Sequence, residues 1–369
     1  MLQDKIDRTL AITMWDFSWL ERRWPGAGYE DWDQVLDELK DRGYDAVRID
    51  PYPHFIDADP ARDWLIHPFW DQHDWGSPGM NRVAPMPALM QFIEKCAARD
   101  LWVALSTWFT RDAHDVRMGI QSPEDHARVW VSTLKHIDDA GLLDRILYVD
   151  LCNEWPLSLW APFFNPDGAI TLQDDRSAQW ISRAIRAVKA AYPQLAYTFS
   201  FTGSFERWRE IDVAALDFLE PHLWMTNHGG FYEQIGGGIA MFDRAPTDSL
   251  VANGERVYRE NPRHWQGLLR HWIGELAEWS RISGKPLITT ECWAIVSYRD
   301  WPLLDWGWIK ELCEVGVTEA AQAGQWVAIA TSNFCGPQFV GMWRDVAWHR
   351  RLTDLIHASA GPWGGMGQS

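Results

Sequence analysis

The sequence predicts an α/β fold, a single (β/α)8 barrel with long loops after strands two and six. Three observations lead there. Apolar, β-branched segments of strand length alternate with amphipathic segments of helix length along the whole chain. Such alternation implies parallel pairing through right-handed crossovers, and eight units are what a closed barrel needs. No GxGxxG or GxxxxGKS/T follows any strand, so the nucleotide site of an open doubly wound sheet is missing from the sequence.

The elements follow in order. The first strand is expected at 10–16, "LAITMWD". A helix follows from about 30, with Trp32, Val35, Leu36 and Leu39 at helical spacing and Gly43 as its stop. The second strand is 45–51, "DAVRIDP", and a long insertion runs over about 51–86. The helix "PALMQFIEKCAARD" leads to the third strand, 101–108. A helix over about 123–140 precedes the fourth, 145–154, "RILYVDLCNE". A helix near 175–192 leads to the fifth, 196–201, and a short helix to the sixth, 216–224, "LDFLEPHLW". The second insertion, about 225–261, reads as a loop, with "GGFYEQIGGG" as a mobile stretch. A long helix over 262–283 ends at Gly284 and leads to the seventh strand, 285–293, "KPLITTECW". A helix near 305–323 precedes the eighth, 325–334, "QWVAIATSNF", and a last helix covers about 342–358. The barrel therefore spans about 10–358 of one domain over 1–369, with a loose tail over about 360–369.

Composition narrows the partners. The chain carries 51 acidic against 34 basic side chains, a net charge of −17. Nucleic acid and anionic membrane both need basic patches, so neither is expected, and a neutral substrate is favoured. No apolar run is long enough for a membrane helix. The start, "MLQDKIDRTLAITMW", does not read as a signal peptide. Cys96, Cys152, Cys292, Cys313 and Cys335 are scattered without a CxxC pair, as free thiols in a reducing compartment would be. A cytoplasmic protein is expected, or a secreted one if a leader has been removed. Composition does not address oligomeric state. The 26 tryptophans serve either core packing or stacking on sugar rings. Position discriminates: an indole on a helix face is structural, and one at a strand's C-terminal end is a candidate binder.

Two strands end alike. "YVDLCNEWP" runs apolar and stops at Asn153 and Glu154; "LITTECW" runs β-branched and stops at Glu291. In a barrel, strands four and seven sit across the axis, so the two carboxylates can converge above the core. Two facing acids suit glycoside hydrolysis, one protonating the leaving oxygen and the other attacking the anomeric carbon or activating water. Structural ion pairs at the rim are the alternative.

This pattern resembles the clan of retaining (β/α)8 glycoside hydrolases, nearest to glycoside hydrolase family 5 and related cellulase-like proteins. The likeness covers the barrel at the level of architecture and strand-end motifs, with "CNEWP" its most specific mark. The resemblance implies that Glu154 is the general acid/base and Glu291 the nucleophile. It implies that Asn153 holds the sugar's 2-hydroxyl, and that Arg48, in "AVRIDP", contacts the nucleophile and keeps it ionised. Arg48 could instead pair with Asp50 in the core. His222, in "EPHLW", sits where the clan carries a His or Tyr that orients the acids, although a structural histidine fits equally. Trp15, Trp108, Trp155, Trp224 and Trp293 are strand-end aromatics and candidate binders. The clan's tryptophan at the end of strand eight is replaced here by Asn333 or Phe334, and Trp293 is placed to compensate. Asp16 and His54 are candidates to hold hydroxyls of a terminal sugar.

Loop groups that could bind a metal, His67, Asp71, His73, Asp74, Asp112 and His114, read as solvated or sugar-contacting. HExxH is absent, and "TGSFE" lacks the first glycine of a GxSxG elbow. No metal and no cofactor are expected. The expectation is a retaining β-glycosidase acting from chain ends on short oligosaccharides or small glycosides. An endo-acting glucanase or mannanase with an open cleft, and a non-catalytic sugar-binding barrel, are the alternatives. The first reading expects carboxyls about 5–5.5 Å apart, both insertions walling one pocket with exposed indoles inside it, and a Glu291 pKa depressed by Arg48.

Overall fold

The computed structural model describes residues 2–68, 74–203, 205–240, 242–296, 299–300 and 304–363. Its barrel strands are β1 Leu10–Asp16, β2 Ala46–Ile49, β3 Trp102–Ser106, β4 Ile146–Asp150, β5 Tyr197–Thr198, β6 Leu223–Trp224, β7 Leu287–Thr289 and β8 Trp326–Ala330. Seven of them form one parallel sheet in the order β5-β4-β3-β2-β1-β8-β7. The segment leading into β6 closes the remaining gap. Phe201 bridges Pro221 on one side and Leu219 bridges Leu287 on the other, while Leu223 and Trp224 pair in parallel with Cys292 and Trp293. The His222 amide donates to the Phe201 carbonyl at 2.8 Å, and the Ile288 amide to the Leu219 carbonyl at 2.9 Å. The sheet thus closes on itself, which removes both edges.

The strands are buried on both faces, as parallel strands covered by helices must be. The covering helices are α1 Trp32–Asp41, α2 Pro85–Ala97, α3 Pro123–Asp139, α4 Asp175–Ala191, α5 Ala245–Glu260, α6 Pro262–Ser283, α7 Gly307–Ala323 and α8 Val346–His357. Local chemistry starts and stops them. Asp31, Ser122, Asp174, Asn261 and Asp345 accept from backbone N–H groups of the first turns of α1, α3, α4, α6 and α8. Gly284 ends α6 at φ +67°, a left-handed conformation that glycine adopts without penalty. β5 is followed only by the short 3-10 turn Trp208–Glu210.

Several strands stop earlier than the sequence suggests. β4 ends at Asp150 rather than 154, and β7 at Thr289 rather than 293. Register shifts interrupt the ladders between Met14 and Asp16 and between Val103 and Leu105. Beyond the ladders the backbone turns sharply, with Asp16 at φ +20° and Glu154 at φ +50°. The acids therefore sit on bent extensions of the strands, where a side chain can be re-aimed.

Among the described residues, both insertions hold regular elements. The first holds a helix, Pro53–Ala58, and an antiparallel hairpin, Trp64–Ile66 with Asn81–Val83. The second holds Phe231–Ile235, inside the stretch expected to be mobile, and the 16-residue α5. Gly254 hides α5 in the sequence. A Cβ there would lie 3.1 Å from both Leu250 and Trp308, so the glycine allows close packing rather than breaking the helix. Asp71, His73 and tail residues 364–369 lie outside the described residues. Among those described, no helix is long and apolar enough to cross a membrane.

Candidate active site

Arg48 organises the barrel mouth. β2 carries it to the axis, where it is fully buried. Its Nε donates to Asp16 Oδ1 at 2.9 Å and its Nη2 to Asp16 Oδ2 at 2.6 Å, a bidentate pair. Nη2 also donates to Glu291 Oε1 at 2.5 Å and to Asn153 Oδ1 at 3.2 Å. Nη1 donates to Thr290 Oγ1 at 2.8 Å and Glu220 Oε1 at 3.1 Å, and faces His222 Nε2 at 3.3 Å. The alternative pairing with Asp50 does not occur. Asp50 accepts instead from the amides of Tyr52 and Trp108.

These contacts fix the orientation of two neighbours. Guanidinium groups only donate, so His222 Nε2 must accept and its proton sits on Nδ1. Burial pushes the His222 pKa down to about 4, so the ring is neutral at pH 7. Its Nδ1–H then points at Glu154 Oε1, 3.1 Å away, with Glu291 Oε1 at 3.5 Å. By the same logic Asn153 turns its carbonyl to Arg48, which leaves its buried Nδ2 aimed elsewhere and without a protein partner.

The two acids converge. Glu154, His222 and Glu291 each present an atom within 4.8 Å of the others. Only small fractions of the two carboxylate side chains, 11% and 6%, reach solvent. Burial pushes both pKa values up to about 7. Trp160 and Arg48 oppose this at Glu154, as His222 and Arg48 do at Glu291. The expected depression at Glu291 is therefore outweighed by desolvation. The asymmetry lies in direct contacts: Glu291 touches a guanidinium, whereas Glu154 takes neutral donors, the Trp160 indole N–H on Oε2 at 3.0 Å and the Thr202 hydroxyl. One proton shared by the pair belongs on Glu154. The Glu154–His222–Glu291 set is the only cluster of metal-ligating groups among the described residues. A guanidinium already bound to Glu291 opposes a second cation there.

The aromatic candidates divide. Trp108 donates from its indole to Asp16 and packs edge-on against Trp160, 4.5 Å between centroids. Trp224 lies beside His222, 5.9 Å between rings, its buried indole N–H without a protein partner. Both face the acids. Trp15, Trp155 and Trp293 do not: they are core residues, correcting the expectation that they bind sugar. Trp15 donates to the Cys335 carbonyl and packs on Tyr29, Phe92 and Trp343. Trp155 donates to Ser177 and stacks on Phe164 and Trp180. Trp293 donates to the Ala330 carbonyl and fills the space left by Gly316, where a Cβ would come within 2.3 Å. His54 is also placed elsewhere, bonded to the Thr110 carbonyl and packed on Phe55 and Phe109. Asn333 donates to the Val296 carbonyl and keeps a buried, unpartnered Oδ1. Phe334 packs against Trp75 and Trp306.

Two of the loop groups considered as metal ligands, Asp112 and Asp74, are held by backbone amides. Asp112 accepts from the amides of His114 and Val116, and Asp74 from Asp300. Among the described residues, the two insertions pack in different surroundings. The strand-two insertion packs Trp75 onto Phe334 and Phe339, whereas the strand-six insertion borders a cleft of about 740 Å³.

Two residues escaped the sequence reading. Trp160, which touches Glu154, sits in an irregular loop with no periodic signal. Glu220 accepts from Arg48, Thr290 and Tyr148 on one oxygen, and its other oxygen is buried without a partner. It was legible: it lies two residues before His222, on the same face of an extended segment.

Comparisons with known proteins agree with this architecture. A family model described as sugar-binding cellulase-like matches residues 12–357. The chain is 48% identical to a proposed glycoside hydrolase from Parabacteroides distasonis, covering 98% of this chain and 97% of that one, with a TM-score of 0.95. The hyperthermostable endo-1,4-β-D-mannanase of Thermotoga petrophila shares 12% identity over 88% of this chain and 87% of its own, TM-score 0.51. A Thermotoga maritima structure in complex with cellobiose shares 14% over 94% and 96%, TM-score 0.51. The last two likenesses show the fold alone. No curated protein matches the chain.

Proposed function

The chain belongs to the sugar-binding cellulase-like family, and from that premise we propose that it is a β-glycosidase that works with net retention of configuration. Its substrates are short oligosaccharides or small glycosides, attacked from the chain end. The observation that carries this reading is the approach of Glu154 and Glu291 within 4.8 Å, with a guanidinium on one acid only. Retaining enzymes hold their two carboxyls about 5–5.5 Å apart, whereas inverting ones need room for a water between them.

The chemistry follows from the contacts. Glu291, ionised beside Arg48, attacks the anomeric carbon. Glu154 gives its proton to the departing oxygen, and a glycosyl ester forms on Glu291. Glu154, now a carboxylate, takes a proton from water as that water breaks the ester. The free Nδ2 of Asn153 is available to the 2-hydroxyl, a contact that tightens as the ring flattens. His222 bridges both acids and stays neutral, so it orients them without supplying charge.

The test is proton NMR of the first-formed sugar from an aryl β-glycoside panel. A β anomer is expected; an α anomer removes the retaining mechanism. Digestion of a labelled oligosaccharide should release single units, and a ladder of intermediate lengths would mean endo action.

A further inference from the structure

We infer that Glu220 is a positioning residue for the cleavage reaction: it takes up the far arm of the Arg48 guanidinium and so sets how much of that charge Glu291 receives. The inference rests on the glycosidase reading and adds a third carboxyl to the two that do the chemistry. Its place in the barrel is the first argument. Glu220 is fully buried in the segment that closes the sheet, between Leu219, bridged to Leu287, and Pro221, bridged to Phe201. Backbone pairing on both sides fixes where its side chain starts. Residues of β2, β4 and the β7 exit then meet it. Its Oε1 accepts from Arg48 Nη1 at 3.1 Å, from Tyr148 Oη at 3.1 Å and from Thr290 Oγ1 at 2.8 Å. Thr290 in turn accepts from Arg48 Nη1 at 2.8 Å, so it relays the guanidinium to Glu220. Glu291 follows Thr290 directly and takes the other arm, Nη2.

The division of charge is the second argument. A guanidinium carries one positive charge at every working pH. Here Asp16, Glu220 and Glu291 all draw on it. Other titratable groups surround the same centre. Asp16 comes from β1, Asp50 from the end of β2, and Tyr148, Asp150 and Glu154 from β4 and its extension. His222, on the β6 side, is neutral, and burial keeps the Cys292 thiol beside Glu291 protonated. Burial raises the Glu220 pKa to about 7; Arg48 opposes the rise, Asp150 adds to it, and Thr290 and Tyr148 oppose it. An anion on Nη1 competes for the charge that Nη2 offers Glu291, and it repels the charge on Glu291 itself. Both effects favour a proton on Glu291.

The same contacts supply a clean probe. Oε1 takes all three donors, whereas Oε2 is buried without a partner among the described residues. Glutamine can place its carbonyl at Oε1 and its amide at Oε2, keeping the three bonds and removing the charge. Loss of that anion lowers the Glu291 pKa, so in Glu220→Gln the acid limb of kcat/KM for an aryl β-glycoside should move to lower pH by about half a unit or more. Its plateau should fall severalfold. Glu220→Ala also frees Nη1, so its plateau should fall about tenfold or more below that of Glu220→Gln, with the limb moved in the same direction. A second measurement needs no turnover. Protein labelled with ¹³C at the glutamate side-chain carboxyls is titrated by NMR, the Glu291 signal being identified by its loss in Glu291→Gln. In Glu220→Gln the Glu291 midpoint should fall with the acid limb. An unmoved midpoint means that Glu220 only fills the core, and it overturns the inference. Should Glu220→Ala fail to fold, the glutamine variant decides alone. Wild-type protein that cleaves no glycoside removes the glycosidase reading, a result distinct from an unmoved midpoint, and NMR still reads whether Glu220 governs Glu291.

Discussion

Glu154 and Glu291 lie within 4.8 Å of one another, and burial raises both to about 7, yet they are held by different materials. Around Glu291 the wall is charged, with the Arg48 guanidinium in direct contact. Around Glu154 it is aromatic, with the Trp160 indole on one oxygen and the neutral His222 ring on the other. The difference teaches that desolvation alone cannot assign roles to a pair of buried acids. It lifts both; the cation decides which one ionises first.

Removing the charged side should cost most. Glu291→Ala should lower turnover by at least about 10⁴-fold for every substrate, as measured by steady-state kinetics, because no other group can form the ester. Glu154→Ala should cost about 10²–10⁴-fold with poor leaving groups, and far less with an activated aryl group that departs without a proton. Added azide should rescue that variant and give a β-glycosyl azide by NMR. An α-azide from Glu154→Ala would reverse the two assignments.

Arg48→Lys sharpens the contrast. A single ammonium cannot hold Asp16, Asn153 and Glu291 together, so kcat/KM should fall about 10²-fold. The pH profile carries the sign. The active form holds one proton on the pair; activity falls at low pH as Glu291 gains a second and at high pH as Glu154 loses its own. A weaker positive charge at Glu291 raises its pKa, so the acid limb should move to higher pH in the variant. A limb that stays in place would mean that Arg48 serves geometry alone. Trp160→Phe should have the smallest effect, a severalfold loss of kcat. Its indole donation lowers the Glu154 pKa, so its removal should shift the basic limb upward.

Alternation along a strand explains which indoles the sequence reading misplaced. Asp16 points into the barrel mouth, so Trp15, one residue earlier, points out to the helices. Trp155 lies past the end of β4, in a turn where Asn153 and Glu154 both reach the site, and its indole packs on Phe164 and Trp180 instead. Glu220, His222 and Trp224 share one parity and all face inward. Trp293 breaks the rule, since it has the parity of Glu291 but packs on α7, beyond the point where β7 stops being regular.

The sequence by itself determined the barrel, the order of its strands and the two acids at the ends of the fourth and seventh, because hydrophobic period and strand-end chemistry are local properties of the chain. Only the tertiary structure decided that Arg48 pairs with Asp16, Glu220 and Glu291 rather than Asp50, and that Trp160 reaches Glu154. Those depend on irregular backbone beyond the strand ends and on contacts between residues as far as 243 positions apart, which no local pattern encodes.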